Sequence, residues 1–211
     1  MYEDLYEVGG AASEPTNGWA TYTGAVPAKV TIGALASMLA WHIVVFVGKL
    51  LAAGSFGRPD AGVWSSLGSL ALLAVTGVAF LVWFFRAYQA TAAAENTLYP
   101  PDQAVWSFFV PLLNLVRPYQ IAADMWRKTD PAGASGTSPL LLAWWVLWCL
   151  GRACPFFLAT SIADAQDMRS PVFTVAGVAE IASAVAAILV VRTLDARIRT
   201  LQGAGVQPAT F

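Results

Sequence analysis

Three ionisable side chains sit deep inside apolar runs of this chain: His42 in "LASMLAWHIVVFVG", Arg152 in "WWVLWCLGRACPFF" and Glu180 in "VAGVAEIASAVAA". A charge at the centre of a membrane helix costs about 2.5–3.5 kcal/mol on insertion scales, so such residues usually turn inward and find a partner. An arginine, a carboxylate and an imidazole in one layer allow two kinds of chemistry. One is an Arg152–Glu180 ion pair that fixes helix register, with His42 as a hydrogen-bonded neighbour. The other is a mid-membrane polar site that passes a proton or holds a small polar ligand. Counted from the predicted outer helix ends, His42 and Arg152 lie about 16 Å deep and Glu180 about 12 Å, so the three can meet. Glu180 shares a helix face with Ala176, Ser183, Ala184 and Ala187, small residues that let another helix come close.

Other chemistries lack their residues. There is one histidine, so a bis-His haem site cannot form within one chain. Cys149 and Cys154 are five positions apart, about 140° around a helix, and neither pair nor offer zinc spacing. The glycine-rich "GSFGRPDAG" (54–62) lacks the Lys-Ser/Thr ending of a phosphate loop and reads as a turn. No serine stands in a nucleophile-elbow context. Asp164 and Asp167 in "ADAQDMRSP" read as a solvated loop rather than a cation site. The expectation is a protein that is not an enzyme and holds no metal or cofactor.

The elements that must position the three residues follow from composition. The 211 residues are 57% hydrophobic and 12% charged, with a mean hydropathy of +0.59. Soluble domains carry about 25% charged residues, and this deficit points to a membrane. The net charge of -1 argues against nucleic acid as a partner. Four apolar stretches are predicted to span the bilayer, at about 29–53, 63–85, 140–163 and 172–191. The "MYEDLYEVGG" start is acidic, lacks a basic region ahead of an apolar core, and is not expected to be a secretory signal.

Lysine and arginine set the orientation. With four spans, Lys29, Arg86, Arg117, Arg127, Lys128, Arg192, Arg197 and Arg199 fall on one side, and Lys49, Arg58 and Arg169 on the other. Both termini and the loop 86–139 are therefore predicted to be cytoplasmic. Residues 1–27 are expected to form a flexible acidic tail, or a docking peptide anchored by Tyr2, Leu5 and Tyr6. Residues 193–211 are expected to form an amphipathic cytoplasmic extension, and 28–192 the membrane domain. Arg86 is expected to snorkel to headgroups, or to tie the 86–139 loop through Asp102 or a backbone carbonyl.

Within that loop, "WSFFVPLLNLVRPYQIAADMW" (106–126) begins as a membrane segment too short to cross. Ala104 to Val116 would make a helix of only about 20 Å. Pro111 and the Arg117-Pro118 step break it, and Pro118 can open a new helix. That helix is amphipathic, with Ile121, Ala122, Met125 and Trp126 on one face and Gln120, Asp124, Arg127 and Lys128 on the other. The segment 104–128 reads as a re-entrant or interfacial element, with Asn114 just after its proline, or as a helical segment packed flat over the bundle with no functional role. A fifth span through 104–121 is the competing topology, and it would place the basic C-terminal segment outside.

Two further patterns concern packing. Ser65, Gly68, Ala71, Ala74 and Gly77 recur every three residues as a stripe of small side chains, expected to mark close helix contact. Of nine tryptophans, Trp64, Trp83, Trp126, Trp144 and Trp145 are expected in interfacial belts.

The runs "FLVWFFRAYQ" (80–89), "WSFFVPLLNLVRPYQI" (106–121) and "LAWWVLW" (142–148) together resemble the bacterial membrane family DUF4328, a domain of unknown function. The resemblance rests on Phe80, Trp83, Arg86 and Ala87, then Pro111, Asn114, Leu115 and Pro118, and covers roughly 65–195. It implies a multi-span protein of the bacterial inner membrane and carries no activity with it. The fold expected is thus all-α and integral to the membrane: four transmembrane helices with a re-entrant or interfacial helical segment between the second and third. Two functions are expected. One is a non-enzymatic subunit or scaffold that packs with itself or a protein partner in the bilayer. The other is a small oligomeric channel or transporter using His42, Arg152 and Glu180. A membrane enzyme stands third.

Overall fold

This computed structural model of the chain describes residues 22–51, 59–94, 96–130, 138–161 and 171–203; side chains are excepted at 49, 59–65, 152–161 and 171–173. The described residues form helices and no strand. The elements in order are α1 (Ala25–Leu51), α2 (Pro59–Ala94), α3 (Gln103–Trp106), α4 (Pro111–Asn114), α5 (Arg117–Lys128), α6 (Pro139–Ser161) and α7 (Pro171–Gly203). Proline opens α2, α4, α6 and α7. It suits that position because the first backbone N–H of a helix has no intrahelical partner to lose.

Three stretches are long and apolar enough to cross a membrane: Ala25–Gly48, Ser66–Ala94 and Thr174–Gly203. α6 is apolar over its described part, Pro139–Gly151. α2 and α7 outrun the expected spans. Their 36 and 33 residues make rods of about 54 and 50 Å, against a hydrocarbon core of about 30 Å. α7 runs without interruption past residue 192 to Gly203.

α7 is the central rod, packing against both α1 and α6, while α1 also packs against α2. Of its most apolar stretch 44% is buried, against 17% for α1 and for α2. The reason lies in its side chains: Ala176, Ala179, Ser183, Ala184, Ala186 and Ala187 are all buried, and small residues admit neighbouring backbones. Among the described residues α2 and α6 do not pack closely enough to close the series α2–α1–α7–α6 into a ring. Across the remaining gap the rings of Phe80 (α2) and Trp144 (α6) meet at 5.9 Å.

The fully buried side chains gather at one end of the bundle, here called the basal end. Trp83, Phe84 and Tyr88 of α2, Ile121 and Met125 of α5, Leu141 of α6, and Val190, Leu194 and Ile198 of α7 are sealed there. Trp83, Trp144 and Trp145, expected at the lipid interface, are core residues instead. The segment from α3 to α5 folds over this end and supplies the covering that lipid would otherwise give. It also bridges the α2–α6 gap. Phe108 packs on Phe84 at 5.7 Å and on Phe80 at 6.1 Å, and the indole of Trp145 donates to the Leu115 carbonyl at 3.2 Å.

Candidate functional site

His42 on α1 and Glu180 on α7 do meet. Nε2 of the imidazole lies 3.9 Å from Oε2 of the carboxylate, and both side chains are largely enclosed. That separation exceeds hydrogen-bond reach, so the contact is electrostatic and acts as an ion pair only when the imidazole is protonated. α6 approaches Glu180 through Gly151, where a Cβ would sit 2.9 Å from Glu180 Cγ. Arg152 is the next helical residue; its side chain, and with it the expected Arg152–Glu180 pair, lies outside the described residues.

A cavity of about 200 Å³ adjoins this pair, lined by α1, α2, α6, α7 and Phe108. His42 and Glu180 mark its polar end, and Phe80, Trp144 and Trp145 wall its basal end. Trp148 stacks on Trp145 with ring centroids 4.9 Å apart, which fixes both planes along the wall. Helical periodicity could place Glu180 on a small-residue face. It carried no signal for the cavity, which exists because α2 and α6 stand apart.

The proline-broken motif is built as follows. Val110 is extended (φ -98°, ψ 114°), and Pro111 starts α4 as its first residue. Val116 (φ -125°, ψ -51°) separates α4 from α5. The break therefore falls at Val116, and Arg117, expected to be extended because a proline follows it, is already the first residue of α5. Its guanidinium donates to Gln103 Oε1 at 2.9 Å and lies over the Tyr99 ring at 5.1 Å, tying α3 to α5. Pro118 is buried. The Oδ1 atom of Asn114 is buried and finds no hydrogen-bond partner among the described residues. Trp106, Phe109 and Leu112 point outward, so an apolar surface lies on the outer side of this segment.

Two expectations about the basal end change. Asp124, placed by periodicity on the solvent face of α5, is buried. The segment Thr97–Tyr99 crosses over it, and Asp124 Oδ2 accepts the backbone N–H of Leu98 at 3.0 Å. Arg127 and Lys128 each stand 3.6 Å from the same carboxylate, so they are directed to Asp124 as well as to any phosphate. Tyr88 seals the crossing: its hydroxyl donates to the Tyr99 carbonyl and accepts the Tyr99 N–H, both at 3.0 Å. Among the described residues Arg86 reaches neither Asp102 nor the loop that follows α2. It donates to the Thr23 hydroxyl at 3.1 Å and to the Thr23 carbonyl at 3.4 Å, anchoring the lead-in to α1.

That lead-in is not free tail. Tyr22 is buried, and its hydroxyl donates to Asp195 of α7, which also holds Arg199. The indole N–H of Trp83 faces the same hydroxyl but lies outside hydrogen-bond geometry. Arg197 lies 4.2 Å over the Trp126 ring and 3.9 Å from Asp130, joining α7 to α5. The i, i+4 spacing of Asp195 and Arg199 was visible in the sequence; the part played by Tyr22 was not.

No group of three or more metal-ligating side chains occurs among the described residues. No curated protein and no solved structure matches the chain. One family model does, over residues 57–196, and it takes in α2 through most of α7, the proline-broken motif and Glu180. The chain belongs to the family described as Domain of unknown function (DUF4328).

Proposed function

We propose that this membrane protein is a non-enzymatic multi-pass subunit or scaffold of the bacterial inner membrane. It has four spans, both termini are cytoplasmic, the segment from α3 to α5 dips into or lies on the inner leaflet, and it packs with itself or with a partner complex. The observation that carries this reading is the braced basal end. α2 and α7 both outrun a bilayer, and α5, Tyr22 and the Thr97–Tyr99 crossing lock their ends into one body. A rigid head at the end of two membrane rods suits a protein that presents a surface to others. The test is to purify the tagged chain in native nanodiscs, determine the mass of the particle and identify what is bound. A stoichiometric protein partner or a defined homo-oligomer supports the scaffold. A bare monomer contradicts it.

A second reading is favoured by the His42–Glu180 contact beside its cavity: a small oligomeric channel or transporter in which that polar layer handles the cargo. Four helices enclose little volume, so conduction would run through an assembly of several copies. Flux in proteoliposomes that disappears with Glu180→Gln supports it, and absence of any flux opposes it.

A further inference from the structure

The cavity beside His42 and Glu180 is a slot with two chemically different ends. Leu35 and His42, Leu73 and Phe80, Trp144 and Gly151, and Glu180 and Ala187 are each seven positions apart, and all eight of these residues line it. Each long helix therefore borders it for about 10 Å, two turns. Glu180 and His42 stand at one end, and aromatic rings at the other. Among the described residues that line it there is one carboxylate and no lysine or arginine.

We propose that this slot binds a small lipophilic organic cation: an ammonium-type head next to Glu180, carried on an aromatic or branched apolar body that lies against Phe80, Trp144 and Trp148. Size fits. An apolar cavity of about 150 Å³ holds benzene, so one of about 200 Å³ takes a ring with a compact head group. Charge fits as well. His42 compensates the carboxylate only when protonated; with the imidazole neutral, an apolar guest would leave Glu180 without a counter-charge among the described residues, which is costly. A metal cation would have to shed its water into walls that are mostly carbon. An alkylated ammonium sheds little water. Among the described residues the bridges across the α2–α6 gap lie near the basal end, and the rest of the gap gives such a guest a way in from the bilayer. The assignment names the cargo class of the polar layer in the second functional reading, but binding and flux are separate measurements. Binding without flux keeps the slot and removes the transporter.

The experiment uses the full chain in nanodiscs, with benzyltrimethylammonium as probe and neopentylbenzene, the same shape without the charge, as comparison. Titration calorimetry should give saturable binding of the cation, tighter than the neutral compound. Glu180→Gln should weaken the cation by at least about tenfold, the scale of one charge-assisted contact, and leave neopentylbenzene unchanged. Gly77 lines the slot, and a Cβ there meets nothing within 4 Å. Gly77→Val should therefore put its methyl groups into the slot and weaken both compounds. If Glu180→Gln does not fold, the preference of the wild-type protein for the charged compound and the effect of Gly77→Val decide the matter. No saturable binding, equal affinity for the two compounds, or a cation affinity untouched by either substitution overturns the proposal.

Discussion

Tyr22 and Asp195 are 173 positions apart in the chain, and the tyrosine hydroxyl donates to Asp195 Oδ1 at 2.6 Å. This bond staples the residue ahead of the first long helix to the last turns of the final one. Asp195 is buried, so its charge depends on Tyr22 and Arg199 for compensation. Removing one donor to a buried carboxylate costs about 1.5–3 kcal/mol. Tyr22→Phe should lose about that much in reversible unfolding in mixed micelles at pH 7. The loss should have a pH signature. Burial first, and the bond to Asp195 second, push the phenol well above its ordinary value of 10.0. A raised folded-state pKa gives stability that is complete below the unfolded value and is lost as pH rises past it. The gap between wild type and Tyr22→Phe should therefore be full below about pH 10 and narrow above it. A gap of constant size across that range would count against the linkage.

Asp124 performs a similar service within the α3–α5 cover. Its carboxylate satisfies the Leu98 N–H and stands between Arg127 and Lys128. Asp124→Ala would leave a backbone donor enclosed and two cations without their counter-charge. The expected cost is about 2–3 kcal/mol. The loss should be local first: protease cleavage between residues 95 and 130 should accelerate before the long helices unfold. Uniform loss across the chain would mean that the crossing is not an independent brace.

The contrast between these residues and the long helices explains what the sequence revealed. Long apolar runs set the long helices, because in lipid a single segment satisfies its own backbone hydrogen bonds only as a helix. Pro111 and Pro118 announced the breaks, since each removes a donor. The small face around Glu180 was legible from its spacing, and Ala176, Ser183, Ala184 and Ala187 are buried as that spacing implies. The basal end was not legible. Helical periodicity tells which face of α5 is apolar, but it cannot tell that a polar crossing from Thr97 to Tyr99 will cover the other face. Tyr22, Arg86 and Asp124 each take a partner 26 or more positions away, and no local pattern encodes such pairings.

The small-residue stripe of α2 makes a paired prediction. Steps of three residues turn about 300°, so the stripe drifts round the helix by about 60° each time. Only part of it can face one neighbour. A Cβ on Gly68 would lie 2.8 Å from Trp41 Cζ2, and that ring is held by its N–H bond to Ser69 Oγ at 2.8 Å. Gly77 instead faces the slot, with nothing within 4 Å of its Cβ position, while Ala71 and Ala74 are exposed. Gly68→Ala should destabilise by about 1–3 kcal/mol, the usual cost of overpacking. Gly77→Ala should change stability by less than about 0.5 kcal/mol or raise it, since alanine is the better helix former. Unfolding of the two variants in parallel checks the ranking, and the reverse order would contradict the placement of Trp41.

The outward apolar surface of the α3–α4 segment decides how it meets the bilayer. Leu112 is 81% exposed, Trp106 67% and Phe109 64%. Three large apolar side chains facing water together would be costly, at about 25 cal/mol per Å² of apolar surface. Lipid removes that cost, and the tie from Trp145 to the Leu115 carbonyl holds the segment beside the first turns of α6 rather than through the bundle. The expected position is a shallow one, in the leaflet nearest the basal end. A fluorophore on Leu112→Cys, with Cys149 and Cys154 replaced by alanine, should be quenched most by lipids carrying a nitroxide high on the acyl chain. Strongest quenching from nitroxides at the bilayer centre would mean that the segment crosses. Quenching by aqueous iodide alone would mean that it stands clear of the membrane, and that Trp106, Phe109 and Leu112 are covered by protein instead.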